Sequence, residues 1–226
     1  MSCPDCHAAL TGAWCSYTTS CPGCVARLDE AVARCFQPRG GERSDSRPLI
    51  ALPADAVATA ERWAARVLAT GLEGRENYTG LSMPGRYAIG YIGELAMVSW
   101  LTAAGRRFRH RVSTSGRSSA PEFVVLVDGL QATLDVKCSS SKRADAMLSR
   151  QRLDADFYVA ARIEQPDGRL VRLMGWADAG ALSRAPVANY GHGPTRSLAF
   201  DSLRAMPELA AALDPVISRA TQSGRR

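Results

Sequence analysis

Two carboxylates and one lysine lie at the base of a hairpin whose other residues are mostly apolar. The stretch is PEFVVLVDGLQATLDVKCSS, residues 121–140. An Asp-Gly pair at 128–129 separates two mainly apolar runs; Glu122 precedes the first run, and Asp135 and Lys137 follow the second. An Asp-Gly pair between two apolar runs predicts a two-residue β-turn. Counted outward from that turn, Glu122 lies directly opposite Asp135. Lys137 lies on the same face, because side chains alternate along a strand.

A third acid is expected to reach the same place from a helix. One helical stripe is formed by Tyr87, Tyr91, Glu94, Val98 and Leu101, and Glu94 lies in its middle. A buried carboxylate is costly unless it is paired or bound to a metal. Three converging acids exceed what one lysine can neutralise, and hard oxygen ligands favour Mg²⁺ or Mn²⁺. The alternative is an ordinary salt bridge at a sheet edge, with Glu94 at a helix boundary.

Four cysteines near the amino terminus have the spacing of a structural zinc site. Residues 1–38 contain six of the seven cysteines, and two Cys-x-x-Cys pairs are separated by fourteen residues. Four thiolates form a closed tetrahedral zinc site. The predicted ligands are Cys3, Cys6, Cys21 and Cys24. Substitution of one of them stays open, and the spare candidates are Cys15, Cys35 and His7. A module this small would depend on zinc for its folding.

Charge and hydropathy limit the classes of function. The formal net charge of +6 is compatible with a polyanionic partner. Only two of the twenty-eight basic residues are lysines, Lys137 and Lys142, so a lysine in the hairpin is noteworthy, because a lysine can lose its proton and an arginine cannot. No apolar run approaches a membrane span, and the start lacks a signal-peptide layout. We expect a cytoplasmic protein.

The order of the predicted elements indicates an α/β domain. Helices are predicted at 54–70 and 85–105, the second ending at Gly105, and they are followed by a run of strands. The predicted strands are 108–112, the two arms of the hairpin, 156–163 and 170–177. Residues 141–151 are predicted as a helix or a mobile basic loop, 189–197 as a loop and 203–213 as a short helix. A helix followed by strands and further helices predicts a central mixed sheet flanked by helices. The predicted domains are a zinc-ribbon-like module at 1–38, a linker at 39–53, the main domain at 54–214 and a tail at 215–226.

The hairpin residues resemble the signature of the PD-(D/E)xK nuclease superfamily. Pro121-Glu122, twelve intervening residues and Asp135-Val136-Lys137 match its pattern, and GYIGELAMVSWLTAAG is similar to its first core helix. The resemblance implies a restriction-endonuclease-like core. It assigns the helix acid to Glu94, the two hairpin acids to Glu122 and Asp135, and the lysine role to Lys137. Glu122 replaces the usual aspartate, which changes the reach of that carboxylate.

The same resemblance implies Mg²⁺- or Mn²⁺-dependent hydrolysis of DNA phosphodiesters. Glu94, Glu122 and Asp135 would be the metal ligands, and Lys137 would orient or deprotonate the attacking water. Basic residues on both sides of the hairpin would contact the DNA backbone. These are Arg107, Arg109, Arg111, Arg117, Lys142 and Arg143.

Two classes of function stay open at this point. The first is a DNA endonuclease, structure-specific or restriction-like, of the kind found in phages and mobile elements. The second is a nuclease fold that has lost its chemistry and binds DNA together with a zinc module. Glu122 favours the second class, whereas Lys137 together with Glu94 favours the first. A homodimer is open in both.

Overall fold

The computed structural model describes most of the chain from residue 46 to residue 213. The described ranges are 46–69, 83–112, 121–127, 130–141, 144–150, 153–189 and 194–213. Several predictions lie outside them: the zinc-ribbon-like module and the tail, the zinc ligands Cys3, Cys6, Cys21 and Cys24, and the basic residues Arg117, Lys142 and Arg143.

Nine strands and three helices form the described structure, with a 3₁₀ turn at Phe200–Ser202 and helical residues at 206–213. The helices are α1 (Ala54–Ala69), α2 (Met83–Ala103) and α3 (Ala179–Ser183). The strands are β1 (Leu49–Ala51), β2 (Arg107–His110), β3 (Phe123–Val127), β4 (Leu130–Ser139), β5 (Ala146–Arg150), β6 (Phe157–Ile163), β7 (Leu170–Asp178), β8 (Val187–Asn189) and β9 (Pro194–Ala199).

Six of the strands form one mixed sheet in the order β1-β7-β6-β4-β3-β2. The pair β4 and β6 is parallel, and the other neighbours are antiparallel. Strand β4 lies inside the sheet, and β2 is at its edge. The prediction of a central mixed sheet flanked by helices is confirmed.

Helix α2 is buried on every side between α1 and the sheet. Each residue from 91 to 101 is buried, whereas α1 buries one stripe that includes Ala60, Trp63 and Val67. The chain leaves α2 at Gly105, whose φ of +66° favours glycine. The backbone N–H of Gly105 donates to Thr102 and that of Arg106 to Leu101, which is a Schellman ending. The predicted end of this helix is therefore confirmed.

The predicted register of the hairpin is also confirmed. The partners run from Val127 opposite Leu130 to Phe123 opposite Leu134. Each pair differs from the one before it by one residue on each strand, as the Asp-Gly turn requires. Extension of the same count places Glu122 opposite Asp135, one pair beyond the end of the ladder.

A second, three-stranded sheet in the order β5-β9-β8 was not predicted. The expectation of a helix or mobile loop at 141–151 is wrong, since 146–150 form β5. The expectation of a loop at 189–197 is wrong at both ends, since Asn189 ends β8 and Pro194 begins β9. Strand β5 pairs with β9, almost fifty residues later, so no local pattern could reveal it.

The predicted linker at 39–53 extends too far towards the carboxyl terminus. Residues 49–51 form β1, an edge strand of the six-stranded sheet, which pairs with β7. Ile50 is buried in the same core as α1 and α2. The packed domain therefore begins before residue 54. None of the helices in the described ranges is long and apolar enough to cross a membrane.

Candidate active site

The site forms where the β2–β3 and β3–β4 ladders end while β4 continues. The last row across the three strands is His110, Phe123 and Leu134. Beyond that row β4 runs on to Ser139, paired with β6 on one side only in the described structure. The sheet thus has a notch along the outer edge of β4, opposite the start of β3.

The carboxylate of Glu122 occupies the end of the ladder. Its Oε2 accepts a hydrogen bond from the backbone N–H of Val136 over 2.6 Å. Because β3 begins one residue later, the side chain of Glu122 takes the place that a strand carbonyl would otherwise fill. The backbone carbonyl of Glu122 accepts from the N–H of Arg111, which continues the pairing towards β2. Glu122 therefore closes the sheet at this point as well as supplying a charge.

Asp135 and Lys137 form an ion pair on one face of β4. The ammonium of Lys137 contacts Oδ2 of Asp135, and their side chains are 34% and 16% exposed, respectively. Leu134 and Val136, which alternate with them, are buried in the core beneath α2. The pair accordingly lies on the sheet face away from that helix.

Glu94 approaches the notch from the helix side of the sheet. Its neighbour Gly93 lies directly against β4, and a Cβ at this position would be only 2.6 Å from Cβ of Cys138. Glycine therefore permits the close contact between α2 and β4 that brings Glu94 beside the free part of the strand. Glu94 is buried, with a relative accessibility of 6%.

We call Glu94, Glu122, Asp135 and Lys137 the acidic notch. Burial, with the nearby carboxylate of Asp135, raises the pKa of Glu94 to about 8, although Lys137 opposes the shift. Burial and the charges of Glu94 and Asp135 raise the pKa of Glu122 well above its ordinary value, against the opposing effects of Lys137 and the Val136 N–H. Neither Glu94 nor Glu122 has enough positive charge nearby to offset its burial. These shifts mark the kind of electrostatic environment found in functional sites.

The ammonium of Lys137 experiences opposing effects. Burial lowers its pKa, but the carboxylates of Asp135 and Glu122 outweigh burial, so that the pKa of Lys137 is raised overall. Lys137 is therefore a cation at neutral pH while these acids are ionised. If another positive charge neutralised the acids, burial would remain as the effect that lowers its pKa.

His110 is a site residue that the sequence did not reveal. Its Nε2 lies 2.7 Å from Oε2 of Glu94, and both side chains are buried. Burial lowers the pKa of His110 to about 3, so its imidazole is neutral and does not add a full positive charge to the notch. The two residues are sixteen positions apart on different elements. The one available signal was alternation within β2, which predicts that His110 points to the same side as Phe108.

The three described arginines of the predicted DNA contacts lie along the edge of the sheet. Arg107, Arg109 and Arg111 are exposed and alternate with Phe108 and His110, which face the core. They therefore lie on the same sheet face as the Asp135–Lys137 pair. The three arginines therefore form a row of positive charges along the sheet edge that ends beside the notch.

The described residues do not contain a ready-made metal centre. Within the described ranges, no three His, Cys, Asp or Glu side chains are gathered so that they could hold a metal ion. The three carboxylates instead contact His110, Val136 and Lys137. Mg²⁺ is usually bound through one or two carboxylates, with water and substrate phosphate completing its shell. The donor set of the notch, hard oxygens with too little positive charge, fits such a cation.

Comparisons with known proteins provide little further information. No protein-family model matches the chain, and no curated protein matches it. Among solved structures, the chain is similar to a bacterial homing endonuclease, I-Ssp6803I, with 15% sequence identity and a TM-score of 0.39. The likeness covers 60% of this chain and 96% of that chain. We base no argument on a likeness of this size, and the proposal below rests on the notch itself.

Proposed function

We propose that the protein is a divalent-metal-dependent DNA endonuclease of the PD-(D/E)xK type, with the acidic notch as its active site. The observation that supports this most strongly is the arrangement around the end of the β3–β4 ladder, where Glu122 accepts from the Val136 N–H, Lys137 pairs with Asp135, and Glu94 lies buried on the helix side. In a purely structural cluster, acids are matched by cations. Here burial, followed by the neighbouring carboxylates, raises the pKa values of Glu94 and Glu122, so the charged forms of these acids would need a further cation.

In the proposed reaction, Asp135 and Glu94 would hold the cation, with Glu122 as a further ligand. When bound, a divalent cation supplies charge stabilisation for the scissile phosphate and lowers the pKa of a water molecule. Lys137 would lie beside that water and either orient it as an ammonium or accept its proton. The second role requires the pKa of Lys137 to fall, which neutralisation of Asp135 and Glu122 favours. Arg107, Arg109 and Arg111 would bind backbone phosphates on the same face.

The test is a cleavage assay on supercoiled plasmid and on four-way-junction DNA. The purified full-length chain should cleave one or both with Mg²⁺ or Mn²⁺ and neither with EDTA. Lys137→Ala, purified in the same way, is the control for a contaminating nuclease and should be inactive. A wild-type protein that leaves both substrates intact with both metals would overturn the proposal.

A second function, DNA binding without cleavage, is supported by one observation. Glu122 stands where the family pattern has aspartate, and its carboxylate is used to close the sheet through the Val136 N–H. A protein of this class would bind DNA equally well with Mg²⁺ and with EDTA and would leave it intact. The arginine-rich edge serves either function, so the cleavage assay separates them.

We also propose that Cys3, Cys6, Cys21 and Cys24 bind a structural zinc ion, on the basis of their spacing alone. These cysteines lie outside the described residues. Metal analysis of the purified chain should find about one zinc per chain. Zinc that persists when all four cysteines are changed to serine would contradict this assignment.

A further inference from the structure

The Glu94–His110 contact joins a proposed metal ligand to a residue that the proposed reaction does not yet use. The atoms are 2.7 Å apart, and the two side chains are 8% and 3% exposed. The Nε2 of His110 meets a carboxylate of the notch. The contact determines where one of the two oxygens of Glu94 can lie.

The imidazole ring is itself held by aromatic residues from two other elements. It stacks on Phe123 of β3, with ring centroids 4.7 Å apart and planes within 8° of parallel. The ring of Trp63, on α1, packs against it at an angle of 62°, with ring centroids 5.9 Å apart. The ring therefore lies between a strand and a helix, where rotation would collide with buried neighbours. Its Nε2 is a fixed point rather than a mobile one.

We propose that His110 is a positioning residue, which holds one carboxylate oxygen of Glu94 through Nε2 and directs the other towards the cation. This inference rests on the proposed metal site. It follows a general pattern in which hydrogen-bonding partners behind a ligand fix its orientation, and their loss typically weakens metal binding by about 10–100-fold. His110 itself contacts neither the cation nor the DNA.

Two substitutions separate positioning from packing. His110→Phe keeps a flat ring between Phe123 and Trp63 but removes the nitrogen that meets Glu94. His110→Gln loses the stacked ring but retains an amide group that can form a hydrogen bond with Glu94 at a similar reach. If His110 acts by packing, His110→Phe is the milder change. If it acts by positioning Glu94, His110→Gln is the milder change.

The main measurement is the affinity of the full-length chain for Mn²⁺ without DNA. The concentration of free Mn²⁺ is measured by electron paramagnetic resonance. His110→Phe should bind Mn²⁺ about 10–100-fold more weakly than the wild type. His110→Gln should stay within roughly threefold of the wild type, because the hydrogen bond to Glu94 is retained. The Mg²⁺ concentration for half-maximal DNA cleavage should change in the same order, while DNA binding in EDTA should not change.

A double-mutant cycle identifies Glu94 as the residue through which His110 acts. In a Glu94→Gln background, the further change His110→Phe should alter Mn²⁺ affinity by less than about twofold, because the ligand that it positions is already lost. Independent losses that add in full would overturn the inference. So would a His110→Phe protein that binds Mn²⁺ as tightly as the wild type. Should that variant not fold, His110→Met, which also lacks the ring nitrogen, replaces it in both comparisons.

The outcomes distinguish this inference from the proposed function. A wild type that binds Mn²⁺ but cleaves no DNA overturns the endonuclease proposal, and the role of His110 is then decided by binding alone. A wild type that binds no Mn²⁺ overturns both. A cleaving enzyme whose Mn²⁺ affinity does not depend on residue 110 overturns only the positioning role.

Discussion

The six-stranded sheet carries two clusters of charged residues, and they are built in opposite ways. The acidic notch has three acids and one lysine. The second cluster, which we call the Glu164 network, consists of Glu164, Arg162 and Arg172. Oε1 of Glu164 accepts hydrogen bonds from Nη2 of Arg162 over 2.9 Å and from Nε of Arg172 over 3.0 Å.

The pKa values of the acids in the two clusters shift in opposite directions. Burial alone would raise the pKa of Glu164, but hydrogen bonds and charges from the two arginines outweigh it and hold this pKa below its ordinary value. In the notch, burial and the neighbouring Asp135 raise the pKa of Glu94 to about 8. A cluster with enough cations stabilises its acid in the charged form. A cluster without enough cations leaves its acids able to exchange protons for a metal ion, as the proposed function requires.

The largest expected difference between the two clusters is in DNA cleavage. Lys137→Ala should lower the cleavage rate by about 10²–10⁴-fold, the usual range for loss of a group that handles a proton. The matched control, Arg162→Ala, also removes a cation beside an acid and should leave the rate unchanged. Gel assays of plasmid cleavage at saturating Mg²⁺ measure both. Equal losses in the two variants would remove the functional distinction.

Lys137→Arg sharpens the same comparison. It keeps the positive charge beside Asp135, but a guanidinium is larger and does not lose its proton. We expect its activity to be as low as that of Lys137→Ala, with DNA binding in EDTA unchanged because the edge arginines remain. Cleavage at the wild-type rate would show that Lys137 acts only as a charge.

The next expected difference is that removing the acid's charge should stabilise the fold in the notch but destabilise it in the Glu164 network. Glu94→Gln keeps a polar partner for His110 and removes a buried ionisable group that lacks enough positive charge. Without metal at pH 8, it should stabilise the fold by about 1 kcal/mol, or raise Tm by about 2–4 °C. Glu164→Gln should instead destabilise by about 0.5 kcal/mol, as expected for a partly exposed ion pair. Thermal unfolding in EDTA checks both, and shifts in the same direction would contradict the comparison.

The smallest effect is the pH dependence of stability without metal. The pKa of Glu94 is about 8 in the folded protein against an ordinary 4.5, so only the folded state holds the proton between these values. Stability should therefore fall as pH rises through this window. The pKa of His110 is about 3 against 6.5, so its contribution is lost as pH falls below 6.5.

The raised pKa of Glu122 adds to the loss as pH rises, so together these shifts predict the greatest stability near pH 4.5, with a decline on either side. Urea unfolding of the wild type and of Glu94→Gln, both in EDTA, measures this. The decline from pH 6.5 to 8 should be smaller in the variant, because it lacks the carboxyl group of Glu94, whose ionisation contributes to the loss in this window. A variant with the full wild-type decline would show that Glu94 is not the group responsible.

The amino-acid sequence by itself determined the central hairpin and the helix that faces it. The Asp-Gly pair predicts a two-residue turn, and the pairing counted outward from it agrees with the observed partners, so the relation of Glu122 to Asp135 could be counted from the sequence. The stripe that contains Glu94 repeats within one helix. In both cases the interacting residues lie on one element or on two elements joined by a short turn. Local chemistry is sufficient there.

Only the tertiary structure decided the rest. The sheet β5-β9-β8 depends on strands distant in the chain, and β1 is a strand because β7 lies beside it. The contact of Glu94 with His110 requires α2 to pack closely on β4 at Gly93 and β2 to join the edge of β3. A lone histidine carries no local sign of its partner. The geometry of the site therefore depends on packing between elements that are far apart in the chain. A pattern of neighbouring residues does not encode such packing.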